Sequence, residues 1–224
     1  MKPVYSFFVL FILLATACKK KNNDEQPGWP DGTGDYAPYT LGSTFTYEVS
    51  GTLPPVTDSF TYRVTKDTTI DGQPYKKLES DKPALASTFF CNYRDGVRTE
   101  ITYNTTVNGI GIPVIKQTVL KANEAVNAQW QEQLSVTIPG IPLPIPVTFT
   151  YKLIQKGFTK NVLGKDYANC IQARQTASIP ANPLIPPTIP TSVTLDNTFG
   201  SGQGLVQRDA TNTTIKLKRY NVVR

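Results

Sequence analysis

The sequence predicts an all-β domain: a strongly curved antiparallel sheet or incomplete barrel of roughly ten to twelve strands. From Tyr39 onward, short segments rich in Thr, Val, Ile, Tyr and Phe are separated by Asp-Gly, Gly-rich and Pro-rich breaks, at a spacing of roughly ten residues. Apolar residues occupy every second position at Phe45, Tyr47 and Val49, and again at Phe60, Tyr62 and Val64. Such alternation is typical of strands that bury one face.

One window, residues 121–133, has a helix-like composition, but it is short and interrupted by Asn. We interpret it as a connector that leads into a strand at Trp130. No other window of the chain competes with the strand pattern, so the prediction remains all-β.

The first seventeen residues have the features of a secretion signal. They contain one Lys and no acidic residue, and an apolar run from Tyr5 to Leu14 is followed by the small residues Ala15, Thr16 and Ala17. A permanent membrane helix needs roughly 20 apolar residues, and this run is much shorter. We therefore expect residues 1–17 to be removed on export.

The segment Leu14-Ala15-Thr16-Ala17-Cys18 resembles the lipobox of bacterial lipoproteins, although its Leu lies four residues before the Cys instead of three. The resemblance implies that Cys18 becomes the lipidated first residue of the mature chain and anchors it to a membrane. Residues 18–35 are polar and rich in Gly and Pro, which is typical of a flexible tether. Because Lys19 stands where an Asp favours inner-membrane retention, the resemblance implies the outer membrane, at its periplasmic face or at the cell surface.

Residues 36–224 are long enough for one well-buried domain. The whole chain has a net charge of +6, and its basic residues are scattered instead of clustered with aromatic side chains, so we expect no nucleic-acid partner. Two cysteines remain after Cys18. Cys91 and Cys170 either form a disulfide, which an exported protein can keep, or stay as buried free thiols.

An internal repeat is suggested by four pairs of similar segments, which would divide the domain into units at about 39–120 and 124–224. The pairs are 41–48 with 126–133, 59–67 with 148–156, 71–78 with 163–170, and more loosely 93–98 with 200–207. The first pair aligns Phe45 with Trp130. The alternative is chance similarity between Thr-rich strands.

An up-and-down strand order would give the domain two chemically different rims. The apolar Pro-rich segments 51–55, 81–86, 108–114, 138–146 and 179–191 would fall on one rim. The polar turns at 71–72, 95–96 and 164–165 would fall on the other.

Loops rich in Ile, Leu and Pro are unusual, since large exposed apolar patches often mark an interaction site. We hypothesise that such loops form a lip that holds a hydrophobic ligand, an envelope partner protein or a membrane surface. The residues assigned to it are Ile138, Ile141, Leu143, Ile145, Leu184, Ile185 and Ile189. The alternative is that the loops fold back and plug the open end of a barrel-like sheet.

The chain contains no His, which excludes Ser-His-Asp and Cys-His catalysis and removes the commonest zinc ligand. The acidic residues lie mainly at predicted turns, where Asp supports the backbone geometry. We therefore assign no catalytic residue and expect no metal and no cofactor. A glycan hydrolase would need two carboxylates that face one cleft at roughly 5–10 Å.

Several spaced motifs resemble a group of uncharacterised Bacteroidota-type outer-membrane lipoproteins. They are the Tyr-x-x-Gly-x-x-aromatic-x-Tyr opening at 39–47, the Gly-x-x-Tyr pairs at 72–75 and 164–167, and Gly-x-Gly-Leu-Val at 202–206. These proteins are similar in outline to lipoprotein carriers, whose strongly curved sheet forms an incomplete barrel. The resemblance supplies no catalytic residue. Together with the Pro-rich rim, it leads us to expect a non-enzymatic lipoprotein whose domain binds a hydrophobic ligand or an envelope partner at that rim. The alternatives are a structural or assembly subunit of an outer-membrane complex and, less favoured, an envelope glycan hydrolase.

Overall fold

Twelve antiparallel strands form one sheet in the computed structural model, which describes residues 35–52, 55–107, 110–136, 144–180 and 191–223. The strands are β1 (Thr44–Thr52), β2 (Pro55–Ile70), β3 (Gln73–Ser80), β4 (Phe89–Arg94), β5 (Val97–Val107), β6 (Ile110–Lys121), β7 (Gln129–Val136), β8 (Ile145–Val162), β9 (Lys165–Ser178), β10 (Ser192–Gly200), β11 (Gly204–Asp209) and β12 (Thr213–Asn221). The sheet curls into a nearly closed barrel with one unsealed seam. The predicted fold class is confirmed.

Almost every strand pairs with its neighbours in sequence. The order across the sheet is β6-β5-β4-β3-β2-β1-β12-β11-β10-β9-β8-β7, so β1 and β12 join two runs of six strands. These runs coincide with the proposed units at 39–120 and 124–224, but the duplication itself remains a prediction. The two edge strands, β6 and β7, are consecutive in the chain, and the connector at 122–128 links them across the seam.

Side chains, and not a strand ladder, bridge the seam. The indole Nε1 of Trp130 donates a hydrogen bond of 2.7 Å to the carbonyl oxygen of Thr118. Both carboxylate oxygens of Glu132 lie 3.0 Å from the backbone nitrogen of Thr118, which donates to them. One residue of β6 is thus held by two side chains of β7, and its backbone groups are satisfied without a thirteenth strand.

β-Bulges explain much of the curvature, because an extra residue bends and twists its strand. The register shifts between Thr46 and Tyr47 in β1, between Arg98 and Thr99 in β5, and three times along the β8–β9 pair. Further shifts occur in β2 and β10. A sheet with this many bulges curls back on itself instead of staying open.

Three tight hairpin turns lie on one rim of the sheet, which we call the turn rim. Two are Asp-Gly turns at 71–72 and 95–96, in which both residues have positive φ, as a type I′ turn requires. The third was predicted at 164–165 but lies one residue earlier, with Leu163 at φ 52° and Gly164 at φ 80°. Lys165 already belongs to β9.

The opposite rim, here called the Pro-rich rim, is where β1, β3, β5, β7 and β9 end. Two segments assigned to its loops are partly strand, since 110–114 belongs to β6 and 145–146 to β8. Proline removes a ladder donor, but β6 is an edge strand and can hold Pro113. Pro146 pairs only with Ser135 of β7, because the pairing of β8 with β9 begins at Thr148.

The N-terminal segment, residues 35–43, covers the turn rim. The backbone nitrogen of Gly202 donates to the carbonyl oxygen of Asp35 at 2.7 Å, and the hydroxyl of Tyr36 donates to the carbonyl oxygen of Asn169 at 3.1 Å. Tyr39 packs against Gly204, where an added Cβ would lie 3.0 Å from the Tyr39 hydroxyl. The described chain therefore starts at the covered end of the barrel.

Two clusters of buried side chains form the core. One is centred on β1 and β2 and extends to β9 and β12, and the other lies among β6, β8, β9 and β10. The predicted inward residues Phe45, Tyr47 and Val64 are 0%, 2% and 1% exposed, so the alternation located the buried face of β1 and β2 correctly. No helix among the described residues is long and apolar enough to cross a membrane.

Candidate functional site

A central cavity of about 270 Å³ lies inside the curved sheet and is partly open. Its volume is just below the roughly 300–1,000 Å³ typical of small-molecule pockets. The apolar part of its lining, which we call the aromatic wall, consists of Tyr39, Tyr47, Phe60, Tyr62, Phe89, Ile115, Leu205 and Ile215. These residues come from both halves of the sheet, so the site exists only when the barrel has curled.

Strand register assembles the aromatic wall. Tyr47 of β1 pairs with Phe60 of β2, and their rings stack at 5.4 Å between centroids. The ring of Tyr62 meets those of Phe60 and Phe89 edge-on, at 5.2 Å and 5.0 Å. Edge-to-face and stacked contacts fix the rings relative to one another, which gives a preformed apolar surface.

The tyrosine hydroxyls of this wall are already engaged by protein groups. Tyr47 donates to the carbonyl oxygen of Leu205 at 3.0 Å, and Tyr62 donates to that of Ser87 at 2.9 Å. Burial raises the pKa of both phenols well above the ordinary value of 10.0, so both stay protonated. The aromatic wall therefore presents ring faces and edges to the cavity. The hydroxyl groups of Tyr47 and Tyr62 are used in hydrogen bonds that stabilise the fold.

Four polar residues from the strands also line the cavity: Glu100, Thr102, Gln117 and Arg208. Glu100 accepts from Arg98, whose Nη2 and Nε lie 2.7 Å and 2.8 Å from its Oε1. The Arg98 side chain is only 1% exposed, and its guanidinium also donates to the carbonyl oxygen of Tyr36 and to the Tyr39 hydroxyl, each at 2.8 Å. The charge of the Glu100 carboxylate is thus compensated by the buried Arg98 guanidinium, which is not itself part of the cavity lining.

The cavity reaches the Pro-rich rim. Leu85, Ala86 and Ser87 line it from the connection between β3 and β4, and Leu85 is 38% exposed. The hydrogen bond from Tyr62 to Ser87 ties this connection to the wall. Residues 35–43 cover the opposite end, so the cavity extends from the covered turn rim toward the connection between β3 and β4.

A second space, of about 340 Å³, lies where β3 and β4 separate. Their ladder pairs Lys76 with Cys91, Lys77 with Phe90 and Leu78 with Phe89. Beyond Lys76 the gap is lined by Tyr75, Tyr93 and Arg94, with Tyr39 behind it. This side cavity faces the turn rim and shares Tyr39 with the central cavity.

The predicted lipidation site and most of the predicted lip residues fall outside the part of the chain that the structure describes. Cys18, Ile138, Ile141, Leu143, Leu184, Ile185 and Ile189 lie outside the described residues. Ile145 is described, and it is 2% exposed at the start of β8, where it pairs with Val136. Ile145 is therefore a buried residue of β8, and its assignment to a binding lip stays a prediction.

The two remaining cysteines are free thiols, and both are buried. They lie in the same core cluster, Cys91 in β4 and Cys170 in β9. Burial raises the pKa of Cys91 to about 12 and that of Cys170 to about 11. Of the two alternatives for this pair, the structure has the unbridged one, with both sulfurs in use as small apolar groups.

Similar folds occur among solved structures of exported proteins. A provisionally assigned lipoprotein from Parabacteroides distasonis superposes with a TM-score of 0.50 at 8% identity, covering 84% of this chain and 99% of that one. A provisionally assigned exported protein with a YmcC-like fold from Bacteroides fragilis gives a TM-score of 0.44 at 10% identity, with the same coverages. At such identities the likeness concerns the fold alone. No protein-family model matches the chain, and no curated protein matches its sequence.

Sequence reasoning missed the charged residues of the cavity. Arg98, Glu100 and Thr102 alternate along β5, so the period-two pattern could have placed them on one face, but a charged strand residue is normally assigned to solvent. No pattern in the sequence around Arg208 indicated that this residue lines a cavity. Within the described residues, no three His, Cys, Asp or Glu side chains come together as a metal site would need, and Glu100 is the one carboxylate in the cavity lining.

Proposed function

We propose that this chain is an exported lipoprotein, held at the outer membrane through Cys18, whose β domain binds a small hydrophobic ligand without transforming it. The central cavity supports the proposal most directly, because it is partly open and combines a preformed aromatic wall with lining residues at the Pro-rich rim. The lipobox and the signal-like first seventeen residues support the location.

The placement of the cavity fits a tethered binding module. The tether ends at Asp35, whose carbonyl oxygen is fixed by Gly202 at the turn rim. The cavity is lined at its other end by Leu85 to Ser87, at the Pro-rich rim. The cavity therefore extends to the end of the barrel opposite to the attachment point of the tether, where we expect the ligand to enter.

The energetics favour a modest affinity from apolar contacts alone. A ligand that buries roughly 250 Å² of apolar surface gains about 6 kcal/mol. The entropic cost of association reduces this value further. Apolar contacts would thus give a dissociation constant of tens of micromolar at best, so a tighter ligand needs a polar contact as well.

Native mass spectrometry and organic extraction of the domain purified from bacteria test this function. Ala86 lines the cavity, whereas Ala84, two residues earlier in the same connection, is exposed and outside the lining. We expect Ala86→Trp to fill the mouth and lose the co-purified ligand, or the binding of the neutral probe N-phenyl-1-naphthylamine. Ala84→Trp, the matched control, should keep both.

A wild-type domain that carries no extractable compound and does not bind the neutral probe would overturn the binding function. So would equal binding by the two Trp variants, since the ligand would then lie elsewhere.

A second candidate, an assembly subunit of an outer-membrane complex, is favoured by an apolar patch on the outer face of β4 to β6. Tyr103 pairs with Val114, and these two residues are the exposed part of the patch, whereas Ile101, which pairs with Phe90, is only 1% exposed. The rings of Phe90 and Tyr103 meet edge-on at 5.4 Å, while Tyr103 and Val114 are 41% and 40% exposed. A partner that co-purifies with the wild type and is lost in Tyr103→Ser would support this role.

A further inference from the structure

The geometry points to Arg208 as the anchor for an acidic group: we propose that the ligand of the central cavity is an amphiphilic carboxylate with a single apolar chain. The carboxylate would bind Arg208, and the chain would lie along the aromatic wall. This inference rests on the proposed function and adds the charge and the chemical class of the ligand.

Strand register directs Arg208 into the barrel. It pairs with Asn197 of β10 on one side and with Ile215 of β12 on the other, and Ile215 is part of the aromatic wall. The Nε of Arg208 donates to Oδ1 of Asn197 at 2.6 Å, and Asn197 is 1% exposed. A buried amide thus orients the guanidinium through its Nε and leaves the terminal nitrogens for another acceptor.

Arg208 has no acidic partner among the described residues. No carboxylate there lies within 4.0 Å of its side chain, although eight other Lys and Arg residues have such partners. Glu100, the acid of the cavity lining, is engaged by Arg98. The cavity therefore contains one unmatched positive charge beside an apolar wall, and such a charge is costly unless an anion or water compensates it.

The chemistry of the guanidinium selects the head group. Its planar fork of donors matches the two oxygens of a carboxylate and forms charge-assisted hydrogen bonds with them. The cavity volume of about 270 Å³ suits one medium-length chain and is too small for a lipid with two acyl chains. A cation would meet Arg208 unfavourably and would find Glu100 already paired.

Isothermal titration calorimetry on the mature chain with Cys18→Ser tests the inference, with three probes of equal chain length: decanoate, decanol and decyltrimethylammonium. We expect decanoate to bind about tenfold or more tightly than decanol, as one charge-assisted contact allows, and the cation to bind most weakly. In Arg208→Gln the preference for decanoate should disappear, while the affinity for decanol stays within about twofold, since the apolar contacts remain. Arg208→Lys should retain part of the preference.

Arg174→Gln is the matched control. Arg174 is 48% exposed on the outside of the sheet and pairs with Asp196, so its loss should leave all three affinities unchanged. Circular dichroism would confirm that each variant is folded, and the comparison of the three probes on the unsubstituted protein does not depend on any variant.

Equal affinities for decanoate and decanol would overturn the inference and leave the proposed function intact. Decyl phosphate is titrated as a further probe, and a tenfold preference for it over decanoate would overturn the choice of a carboxylate. If none of the probes binds, both the inference and the proposed function fail.

Discussion

Arg98 joins the N-terminal segment to the wall of the barrel through one buried guanidinium. It donates to the carbonyl oxygen of Tyr36, to the Tyr39 hydroxyl and to the Glu100 carboxylate, all at 2.7–2.8 Å. It also lies over the rings of Tyr39 and Phe199, at 5.1 Å and 4.9 Å from the centroids. One side chain therefore holds the cover of the turn rim and compensates the acid of the cavity.

Replacing Arg98 with Met should lower the free energy of unfolding by about 3–5 kcal/mol, because Glu100, whose side chain is only 16% exposed, would lose its compensating charge. Urea denaturation followed by circular dichroism measures the change. Adding Glu100→Gln to Arg98→Met should recover part of the loss. Arg174→Met, which breaks the exposed pair with Asp196, should cost no more than about 1 kcal/mol.

A loss of less than about 1 kcal/mol in Arg98→Met would show that the N-terminal segment is held by its other contacts, such as the bond from Gly202 to Asp35.

At the same scale, the alternation of apolar residues was enough to predict the buried face of β1 and β2. It could not predict that Arg98 is buried, because the groups that stabilise it come from far along the chain. Tyr36 and Tyr39 precede Arg98 by 62 and 59 residues. The burial of a charge depends on such distant partners, which a local pattern does not contain.

At the scale of elements, the hydrogen bonds across the seam between β6 and β7 converge on one residue of β6, and Lys121 at the end of β6 adds a contact 5.5 Å from the centroid of the Trp130 ring. Trp130 and Glu132 both bind the backbone of Thr118, and the Trp130 ring stacks on Tyr151 at 5.5 Å. β6 pairs only with β5 and β7 only with β8, so no backbone ladder joins the two edges. The seam should therefore be the part of the described sheet that opens most readily.

We expect Glu132→Ala to leave the Thr118 donor without its acceptor and to destabilise the seam by about 1–3 kcal/mol. Hydrogen–deuterium exchange should then become faster in 114–121 and 129–134, with little change in β1 and β12. Glu132→Gln keeps an acceptor and should have a smaller effect. Gln131→Ala is the matched control, since Gln131 is exposed and bonds to the Thr150 hydroxyl on the other face.

Uniformly faster exchange across the whole sheet in Glu132→Ala would contradict a local role, and no difference from Gln131→Ala would show that the seam stays closed without the Glu132 contact.

The sequence predicted hairpin turns better than it predicted the edges of the sheet. Asp71-Gly72 and Asp95-Gly96 carry their turn geometry in two adjacent residues, which favour positive φ. The Gly and Pro residues of 110–114 predicted a loop, but the segment belongs to β6. An edge strand tolerates Pro, because one of its sides has no strand partner that needs the missing N–H donor. Edge positions follow from the topology, which no local segment encodes.

At the scale of the whole molecule, the pairing of β1 with β12 is the one connection in the sheet that is not between sequence neighbours. The two ends of the described chain meet there, since the backbone nitrogen of Val223 donates to the Ser43 hydroxyl at 3.0 Å. The connector between β6 and β7 spans the seam instead. A chain that ran from β7 to β12 and then from β1 to β6 would be a simple twelve-stranded meander.

We therefore expect a circular permutant, opened between Glu124 and Ala125 and joined from Val223 to Asp35 by a Gly/Ser linker, to form the same sheet. It should refold faster than the natural order, because the β1–β12 pairing becomes local and its loop-closure cost falls. Stopped-flow refolding monitored by Trp130 and tyrosine fluorescence measures the rate. A permutant opened between Leu163 and Gly164 is the control, since it divides the long β8–β9 hairpin and should be less stable.

Failure of the permutant opened at 124–125 to fold would contradict the expectation that the sheet forms without a covalent connection between β6 and β7. The covalent connector, together with the contacts of Trp130 and Glu132, would then be what holds the two edges of the sheet together. In that case the curvature that places Arg208 beside the aromatic wall would depend on the covalent connector between β6 and β7. The central cavity would then form only in a chain that keeps this connector intact.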